Sequence, residues 1–486
     1  MVPFRTRQCC VASVALLLTV TACGDGSEGD DVSSAPAGES HRSAVRELDA
    51  KMRTEQQEIR PTNDDPYLGL GYEGEEAFSY ASPGGHFRVW WVEGGPHATV
   101  LADVEPANGV PDYVELVATE ADSVVAELDA RGWRSSIDDE SIPVSWEVGG
   151  DGRFDIYLID FDRSADGLVA RNACRTQLGR TVCSSHMLIE NDFAGYGSPS
   201  IEEAIGVLTS HEYFHAVQAA YTDELEQWVS EGTATWFEES YNPAQRDFER
   251  LANTYFSTPE RSLNARNQGP FDGFAYGTAI FFRHLERRYD AALMIDLFER
   301  IAAGQGALEA LDASLREGYD SDLTQAYQSF AAWNAFTGDR AAFGQGYHAS
   351  STYDEVPFTD YDATRGLNWD VSVDPVAAKY AAFKVSGPVR IRLEALADRT
   401  LTDETRALVL RSPNDYDVIS IEEPAIVLEP GEFVFLSILN ASPSTTTTAR
   451  VAFRSGLAFD ARPSALVELA RVRLAGPLGL PALFRV

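Results

Sequence analysis

The spacing of apolar residues along the chain predicts a mixed α+β region that is followed by an all-β region. Three short apolar runs predict strands, over 86–93, 154–161 and 184–192. Apolar residues three and four positions apart predict helices over 111–133 and 200–221, and most of 223–340 has the same helical pattern. Ser200 and Glu203 form a capping-box pattern, which places the start of the second helix.

Beyond a polar and irregular stretch, the apolar period changes to two. Runs such as "VRIRLEAL" and "EFVFLSILNA" are separated by turn residues at regular intervals, which is typical of a small β-sandwich. The predicted segments are, in order, a lipoprotein signal peptide (1–22), a disordered tether with a short helix (23–66), an α+β domain (67–250), a helical subdomain (251–340), a linker (341–370), the sandwich (371–456) and a C-terminal tail (457–486).

The N-terminus predicts export. Arg5 and Arg7 precede an apolar run over 11–20, which is typical of a secretory signal and too short to span a membrane. The run leads into "VTAC", which is similar to a bacterial lipobox, so we expect cleavage before Cys23 and lipidation of its thiol. The protein would then be anchored to the cell envelope, with the outer membrane favoured in a Gram-negative cell. Ordinary signal-peptidase cleavage, which leaves an extracellular protein, is the alternative.

Export also bears on the cysteines that remain in the mature chain. Cys174 and Cys183 lie nine residues apart, and in an oxidising compartment this spacing favours a short-loop disulfide. A zinc site made of these two residues is disfavoured, because the sequence contains no CxxC pair.

The charge balance restricts the class of partner. The 486 residues include 75 acidic and 39 basic side chains, for a net charge of -36. Such a chain repels nucleic-acid phosphates and anionic lipid, so we expect no nucleic-acid partner and membrane contact only through the lipid on Cys23. High net charge also keeps an exported protein soluble, and by itself it does not indicate an acidic site.

The predicted helix over 200–221 contains the motif "HEYFH". A helix advances about 100° per residue, so His211 and His215 share a face and can bind one metal ion, while Glu212 lies beside that face. HExxH on a helix is typical of zinc hydrolases. Buried histidines held by local hydrogen bonds are the alternative. Histidine is scarce here, eight in the whole chain, and two of the eight occur at ligand spacing.

A catalytic zinc site needs a third protein ligand and an open position. Glu231 follows in "WVSEG", and HExxH followed by W-x-x-E-G resembles the gluzincin group of zinc metallopeptidases. "NGVPDYVE", "FDIYLIDF" and "YGTAIFF" also resemble a group of secreted, myxobacterial-type metalloproteases, over about 100–290. The resemblance implies a zincin-like fold for the α+β region, one catalytic Zn²⁺ on His211, His215 and Glu231, Glu212 as general base and a peptide or protein as substrate. A metzincin is disfavoured, because Gln218 replaces the glycine of that group's extended motif.

The resemblance implies further roles as well. Gluzincins often stabilise the oxyanion with a Tyr or His from a later helix, and Tyr276 is the candidate here; a packed core tyrosine is the alternative. Apart from the resemblance, groups behind the ligands should orient the histidines, and Glu238 and Thr235 are possible; a solvated or capping role is favoured for each. The strand over 184–192 precedes the HExxH helix, as zincin edge strands do, and could pair with an extended peptide.

The stretch "DVEPANGVPDYVE" (103–115) has some resemblance to a calcium loop. Val104 and Pro106 occupy positions where that loop needs acidic ligands, so an ordinary turn is favoured and Ca²⁺ is the less favoured alternative.

Three functions remain open from the sequence. The first is an active zinc metallopeptidase at the cell surface. The second is an inactive zincin scaffold that works as a binding protein, and the third is a zinc hydrolase acting on other carbonyl compounds. The intact Glu212 favours the first over the second, because a scaffold has no need of a base.

Overall fold

The computed structural model describes thirteen stretches of the chain. They are 60–62, 71–142, 149–163, 165–195, 200–244, 247–269, 272–342, 344–363, 367–386, 389–396, 401–420, 426–428 and 433–455. The predicted signal peptide, the lipidation site Cys23, the predicted short helix and the tail over 457–486 lie outside them. The chain forms two compact units, one of residues up to Thr254 with Asn264–Tyr319, the other of Tyr255–Leu263 with residues from Asp320 onward.

A five-stranded mixed sheet forms the base of the first unit. Its strands are β1 (Ala77–Ala81), β2 (Phe87–Val92), β3 (Phe154–Ile159), β4 (Gly167–Gln177) and β5 (Arg180–Glu190). Their order in the sheet is β1-β2-β3-β5-β4, with β2, β3 and β5 parallel to one another and the two outer pairs antiparallel. The three strands that the sequence predicts in this region are therefore present, and β1 and β4 are two additional ones.

The prediction that the strand over 184–192 is an edge strand is wrong. This strand is β5, and it pairs with β3 on one side and with β4 on the other. The chain reverses at Leu178 and Gly179, which have φ values of 51° and 83° and let β4 and β5 form a tight hairpin. The edge of the sheet beside β5 is therefore β4.

Two long helices cover one face of this sheet. Helix α1 (Asp112–Arg131) ends at Gly132, whose left-handed backbone (φ 90°) lets its N–H reach the carbonyl groups of Leu128 and Asp129. Helix α2 (Ile201–Tyr221) carries the HExxH motif and begins where the Ser200 side chain accepts a 3.0 Å hydrogen bond from the backbone N–H of Glu203. Sixteen of its 21 residues are buried, so this helix runs through the interior of the unit.

The opposite face of the sheet has its own apolar cluster, which includes Tyr72, Tyr157 and Leu188. Arg60 also lies here, buried, in an ion pair with Asp155 and at 2.7 Å from the Tyr157 hydroxyl. Arg60 falls in the segment predicted as tether and short helix, so the folded region begins upstream of that predicted boundary.

The rest of the first unit is helical, as the sequence pattern predicts. Its helices are α3 (Gln227–Tyr241), α4 (Asp247–Phe256), α5 (Phe274–Gly277), α6 (Ala279–Arg288), α7 (Ala292–Ala302) and α8 (Ala307–Gly318). Helix α3 packs against α2 on one side and against α5 and α6 on the other. Helix α3 is therefore held between α2, which carries HExxH, and the pair α5–α6.

The second unit is mainly β-structure, which confirms the predicted all-β region. It contains helix α9 (Leu323–Asn334) and strands β6 (Thr359–Ala363), β7 (Asn368–Val373), β8 (Ala377–Val385), β9 (Val389–Ala395), β10 (Thr405–Ser412), β11 (Asp415–Ile419), β12 (Ile426–Leu428), β13 (Phe433–Asn440) and β14 (Thr447–Ser455). The strands form two sheets, ordered β11-β10-β13-β8-β6 and β12-β9-β14-β7. Side chains from both sheets, such as Phe383 and Phe453, share one core.

The division between the units differs from the predicted boundaries at 250 and 340. It falls inside α4, because Tyr255–Leu263 joins the second unit through hydrogen bonds of 3.0 Å from Leu263 N–H to the Val376 carbonyl and from Ala378 N–H to the Pro259 carbonyl. Helix α9 also belongs to the second unit and packs on β10 and β13. Within the described ranges, none of the helices is both long and apolar enough to cross a membrane.

Candidate active site

Helix α2 presents two imidazole rings to the same point. His211 and His215 lie one helical turn apart, with ring centroids 4.7 Å apart and ring planes 82° to one another. Their Nε2 atoms are 3.1 Å apart. His211 is 1% exposed, so it faces the protein interior rather than bulk water.

Helix α3 brings the predicted third ligand to the same point. The Oε2 atom of Glu231 lies 3.6 Å from Nε2 of His211 and 3.5 Å from Nε2 of His215. The structure therefore brings together all three side chains that the sequence assigns to zinc. Burial raises the pKa of Glu231, but the neighbouring His215 and His211 lower it by more than burial raises it. The net pKa is well below that of an ordinary glutamate.

The far side of each imidazole is held by a side chain that can accept a hydrogen bond from Nδ1. Nδ1 of His211 contacts Oε1 of Glu238, a buried carboxylate on α3. Burial lowers the pKa of His211, but the charge of Glu238 and its hydrogen bond outweigh this and raise the pKa well above the usual value. Of the two residues considered for orienting the histidines, Glu238 therefore contacts one of them, His211. The other, Thr235, has a buried hydroxyl without a hydrogen bond to any described residue.

Nδ1 of His215 lies 2.8 Å from Oε1 of Gln218, one turn further along α2. From the sequence, Gln218 stands out only as a departure from the metzincin motif, and this contact is not predicted. The signal was available: position 218 lies seven residues after His211 and three after His215, so it shares a helical face with both histidines.

These contacts test whether the site fits a metal ion. Glu238 and Gln218 present acceptor oxygens to Nδ1, so each ring can donate its proton there and turn an Nε2 lone pair toward a metal ion. The two Nε2 atoms and the Glu231 carboxylate oxygen, 3.1–3.6 Å from one another, need a positive charge among them, which either a metal ion or a proton on His211 supplies. Tetrahedral ligands at the usual zinc distances are separated by about 3.3 Å, so the donor set and its spacing fit Zn²⁺.

Glu212 is buried beside the ligand face. Burial raises its pKa above the usual value, and the nearby His211 and His215 act against that rise. The start of the edge strand β4 passes close to it: a Cβ atom added at Gly167 would lie 3.0 Å from Cγ of Glu212 and 2.5 Å from Cδ1 of Leu208. Glycine at this position lets the edge strand approach the carboxylate.

The short helix α5 places Tyr276 against the site. Its ring stacks on that of His211, with centroids 6.0 Å apart and planes at 21°. Burial raises the pKa of Tyr276 well above its usual value, and the charges of Glu231 and Glu212 raise it further. Its phenol is therefore protonated and available as a donor at the ligand set.

A tight helix contact holds α5 in this position. Thr278, the residue after α5, shares its hydroxyl hydrogen between the Ala275 carbonyl at 2.6 Å and the Trp228 carbonyl of α3 at 2.9 Å. A Cβ atom at Gly232 would lie 2.3 Å from that hydroxyl oxygen and 2.8 Å from Cε2 of Phe282. The glycine of W-x-x-E-G is thus needed for α3 and α5–α6 to approach this closely.

The remaining sequence-predicted residues lie elsewhere. Cys174 and Cys183 face each other across the β4–β5 hairpin and form the predicted disulfide. The Asp223 carboxylate lies close to both sulfurs, but sulfurs bonded to each other are not metal ligands.

The stretch over 103–115 has the contacts of a closed turn. The Asp103 carboxylate accepts hydrogen bonds from the backbone N–H groups of Asn108 and Gly109, at 3.0 and 2.8 Å. Asp112 accepts from the backbone of Val104, at 3.1 Å. These carboxylates serve the backbone of the turn, which is consistent with the favoured interpretation.

Comparison of the chain with protein-family models and with curated proteins finds no match.

Proposed function

We propose that this protein is a zinc-dependent peptidase with a zincin-like first unit. The observation that carries the proposal is the convergence of His211, His215 and Glu231 from two helices, with Glu212 buried beside them. The acceptor oxygens beside both Nδ1 atoms also support the proposal, because they allow both Nε2 lone pairs to face a metal ion.

Each residue of the site has a part in peptide hydrolysis. Zinc, when bound, would supply a Lewis acid that polarises the scissile carbonyl group and makes water a better nucleophile at neutral pH. Glu212 takes the proton of the attacking water and passes it to the leaving amine. Burial of its carboxylate brings its pKa closer to neutrality, as proton transfer in both directions requires. The Tyr276 phenol donates a hydrogen bond to the oxyanion that develops on the substrate.

The edge strand β4 offers a place for an extended peptide. Its first residue, Gly167, approaches Glu212, and its outer side has no strand partner among the described residues. A peptide that adds to this edge would lie beside the general base, with its backbone held by main-chain hydrogen bonds. The edge strand is therefore β4 and not the strand over 184–192.

The test combines metal content with cleavage. Elemental analysis should find one zinc per wild-type chain and little in His215→Ala. A casein-type substrate should be cleaved by the wild type and not by Glu212→Gln, which should keep its zinc. Glu202→Gln removes an exposed carboxylate from the same helix and should leave both properties unchanged.

Two other outcomes would redirect the proposal. A wild type that contains zinc but cleaves no member of a peptide library would favour a surface binding protein or a hydrolase of other carbonyl compounds. A wild type that contains no zinc after purification in zinc-supplemented medium would end the proposal.

The site of lipidation is a separate proposal. We propose that Cys23 carries a lipid that anchors the exported protein to the cell envelope. Labelled fatty acid should be incorporated into the wild type in cells and not into Cys23→Ser. Equal labelling of the two proteins would exclude Cys23 as the acceptor.

A further inference from the structure

Gln218 connects the helices that carry the ligands. Its Oε1 atom lies 2.8 Å from Nδ1 of His215, on its own helix α2. Its Nε2 atom donates to the Ser230 carbonyl at 2.8 Å and to the Thr233 hydroxyl at 2.9 Å, both on α3. Ser230 directly precedes the third ligand, so this one amide contacts a ligand ring and the backbone next to another ligand.

The polarity of this network admits one arrangement. The Thr233 hydroxyl donates to the Val229 carbonyl at 2.7 Å, so its oxygen is left to accept from Gln218. The Ser230 carbonyl can only accept. The NH₂ end of Gln218 must therefore face α3, and its oxygen must face His215, which in turn must donate from Nδ1. Gln218 is 2% exposed, so water does not compete for these hydrogen bonds.

We infer that Gln218 is a positioning residue that sets His215 and Glu231 relative to each other, and that its amide NH₂ group is as important for metal binding as its oxygen. This inference rests on the proposed zinc site. It differs from the usual role of such a neighbour, in which a carboxylate or carbonyl oxygen orients one histidine only.

The variant Gln218→Glu distinguishes this role from simple orientation of His215. In Gln218→Glu the acceptor for His215 remains, and a carboxylate would even strengthen that hydrogen bond. The second carboxylate oxygen would however face the Ser230 carbonyl, and both hydrogen bonds that the amide donates to α3 would be lost. Only the Ser230 hydroxyl, which donates to Oε1 at 3.1 Å, would still join the two helices. If only the orientation of His215 matters, Gln218→Glu binds zinc at least as tightly as the wild type. If the amide sets both ligands, it binds zinc more weakly.

The experiment measures zinc affinity by competition with a chromophoric chelator on the full mature chain. We expect Gln218→Leu and Gln218→Glu each to weaken binding about 10- to 100-fold. Cobalt(II) in place of zinc reports the coordination geometry, and its visible absorption should lose intensity in both variants. Thr235→Val, which removes a buried hydroxyl of the same helix that has no described hydrogen bond, should match the wild type in both measurements.

A conservative variant keeps the inference testable if the larger changes prevent folding. Thr233→Val keeps the side-chain shape but removes one acceptor of the Gln218 amide, and it should weaken zinc binding severalfold. Zinc affinity at or above that of the wild type in Gln218→Glu, or unchanged affinity in Thr233→Val, would overturn the inference while leaving the zinc site intact. A wild type without zinc or cobalt binding would instead overturn the proposed function, and the inference with it.

Discussion

Replacement of Gly232 by alanine tests how closely the helices around the site are packed. The added Cβ would lie 2.3 Å from Oγ1 of Thr278 and 2.8 Å from Cε2 of Phe282. Both of those side chains are fully buried, so neither can swing into solvent to make room. The helix α3 must therefore move away from the segment that carries Tyr276.

The size of the effect follows from three contributions. Overpacking of this kind costs about 1–3 kcal/mol. Loss of the hydrogen bond from Thr278 to the Trp228 carbonyl costs about 1 kcal/mol more, and the better helix propensity of alanine returns about 1 kcal/mol. We expect the free energy of unfolding to fall by about 1–3 kcal/mol. Displacement of the Tyr276 hydroxyl should also lower kcat, by up to about 100-fold.

Urea unfolding followed by tryptophan fluorescence measures the first effect, and peptide cleavage measures the second. The matched control is Gly318→Ala, a helical glycine of α8 with open space at its Cβ position, which should be neutral or up to about 1 kcal/mol more stable than the wild type. Equal stability of the two variants would refute the close packing of α3 against α5–α6 and the reason given for the glycine.

Three other predictions follow from buried groups. Tyr276→Phe should keep its zinc, but its kcat against a casein-type peptide should fall about 10²- to 10³-fold, because the variant lacks one oxyanion donor. An unchanged kcat would show that Tyr276 is only a core residue. Burial and the charge of Arg288 lower the pKa of His284 to about 3, so below pH 6.5 the unfolded chain binds a proton that the folded chain does not, and stability falls as the pH falls. Between pH 7 and 5 the free energy of unfolding of the wild type should therefore fall by about 2 kcal/mol more than that of His284→Gln. Urea unfolding of both proteins across this pH range measures the difference, and parallel profiles would contradict the prediction. Arg60→Ala should lower the free energy of unfolding by about 3–5 kcal/mol, because it leaves the Asp155 carboxylate buried without its cation; chemical denaturation at pH 7 measures this, and a loss below 1 kcal/mol would show that Arg60 contributes little to the fold.

The sequence predicts that His211 and His215 lie together, because helical geometry alone places them on one face. Glu231 could be added from its motif, and its approach to both rings is consistent with that assignment. The side chains that contact Nδ1 of the two histidines are harder to predict. Glu238 lies 27 residues from His211, so its contact depends on the crossing of two helices, which no local pattern specifies.

The sheet shows where local patterns fail. Strand β4 reads "GLVARNACRTQ", in which polar residues interrupt the apolar alternation because an edge strand needs less apolar surface than an inner one. The sequence therefore suggested a disulfide-pinned loop, where the structure has a hairpin. The error moved the edge of the sheet from β4 to β5. Arg60 was assigned to the tether for a similar reason, since only the distant Asp155 explains its burial.

The tip of the β4–β5 hairpin has a practical consequence for handling the protein. Leu178 is 82% exposed at the reversal, and the disulfide closes the strands on either side of it. A protease that nicks the backbone between Leu178 and Gly179 would leave the two fragments joined through Cys174 and Cys183. Such a preparation would migrate as one band in a denaturing gel without reductant and as two bands with it, so purity judged only without reductant would conceal a broken chain.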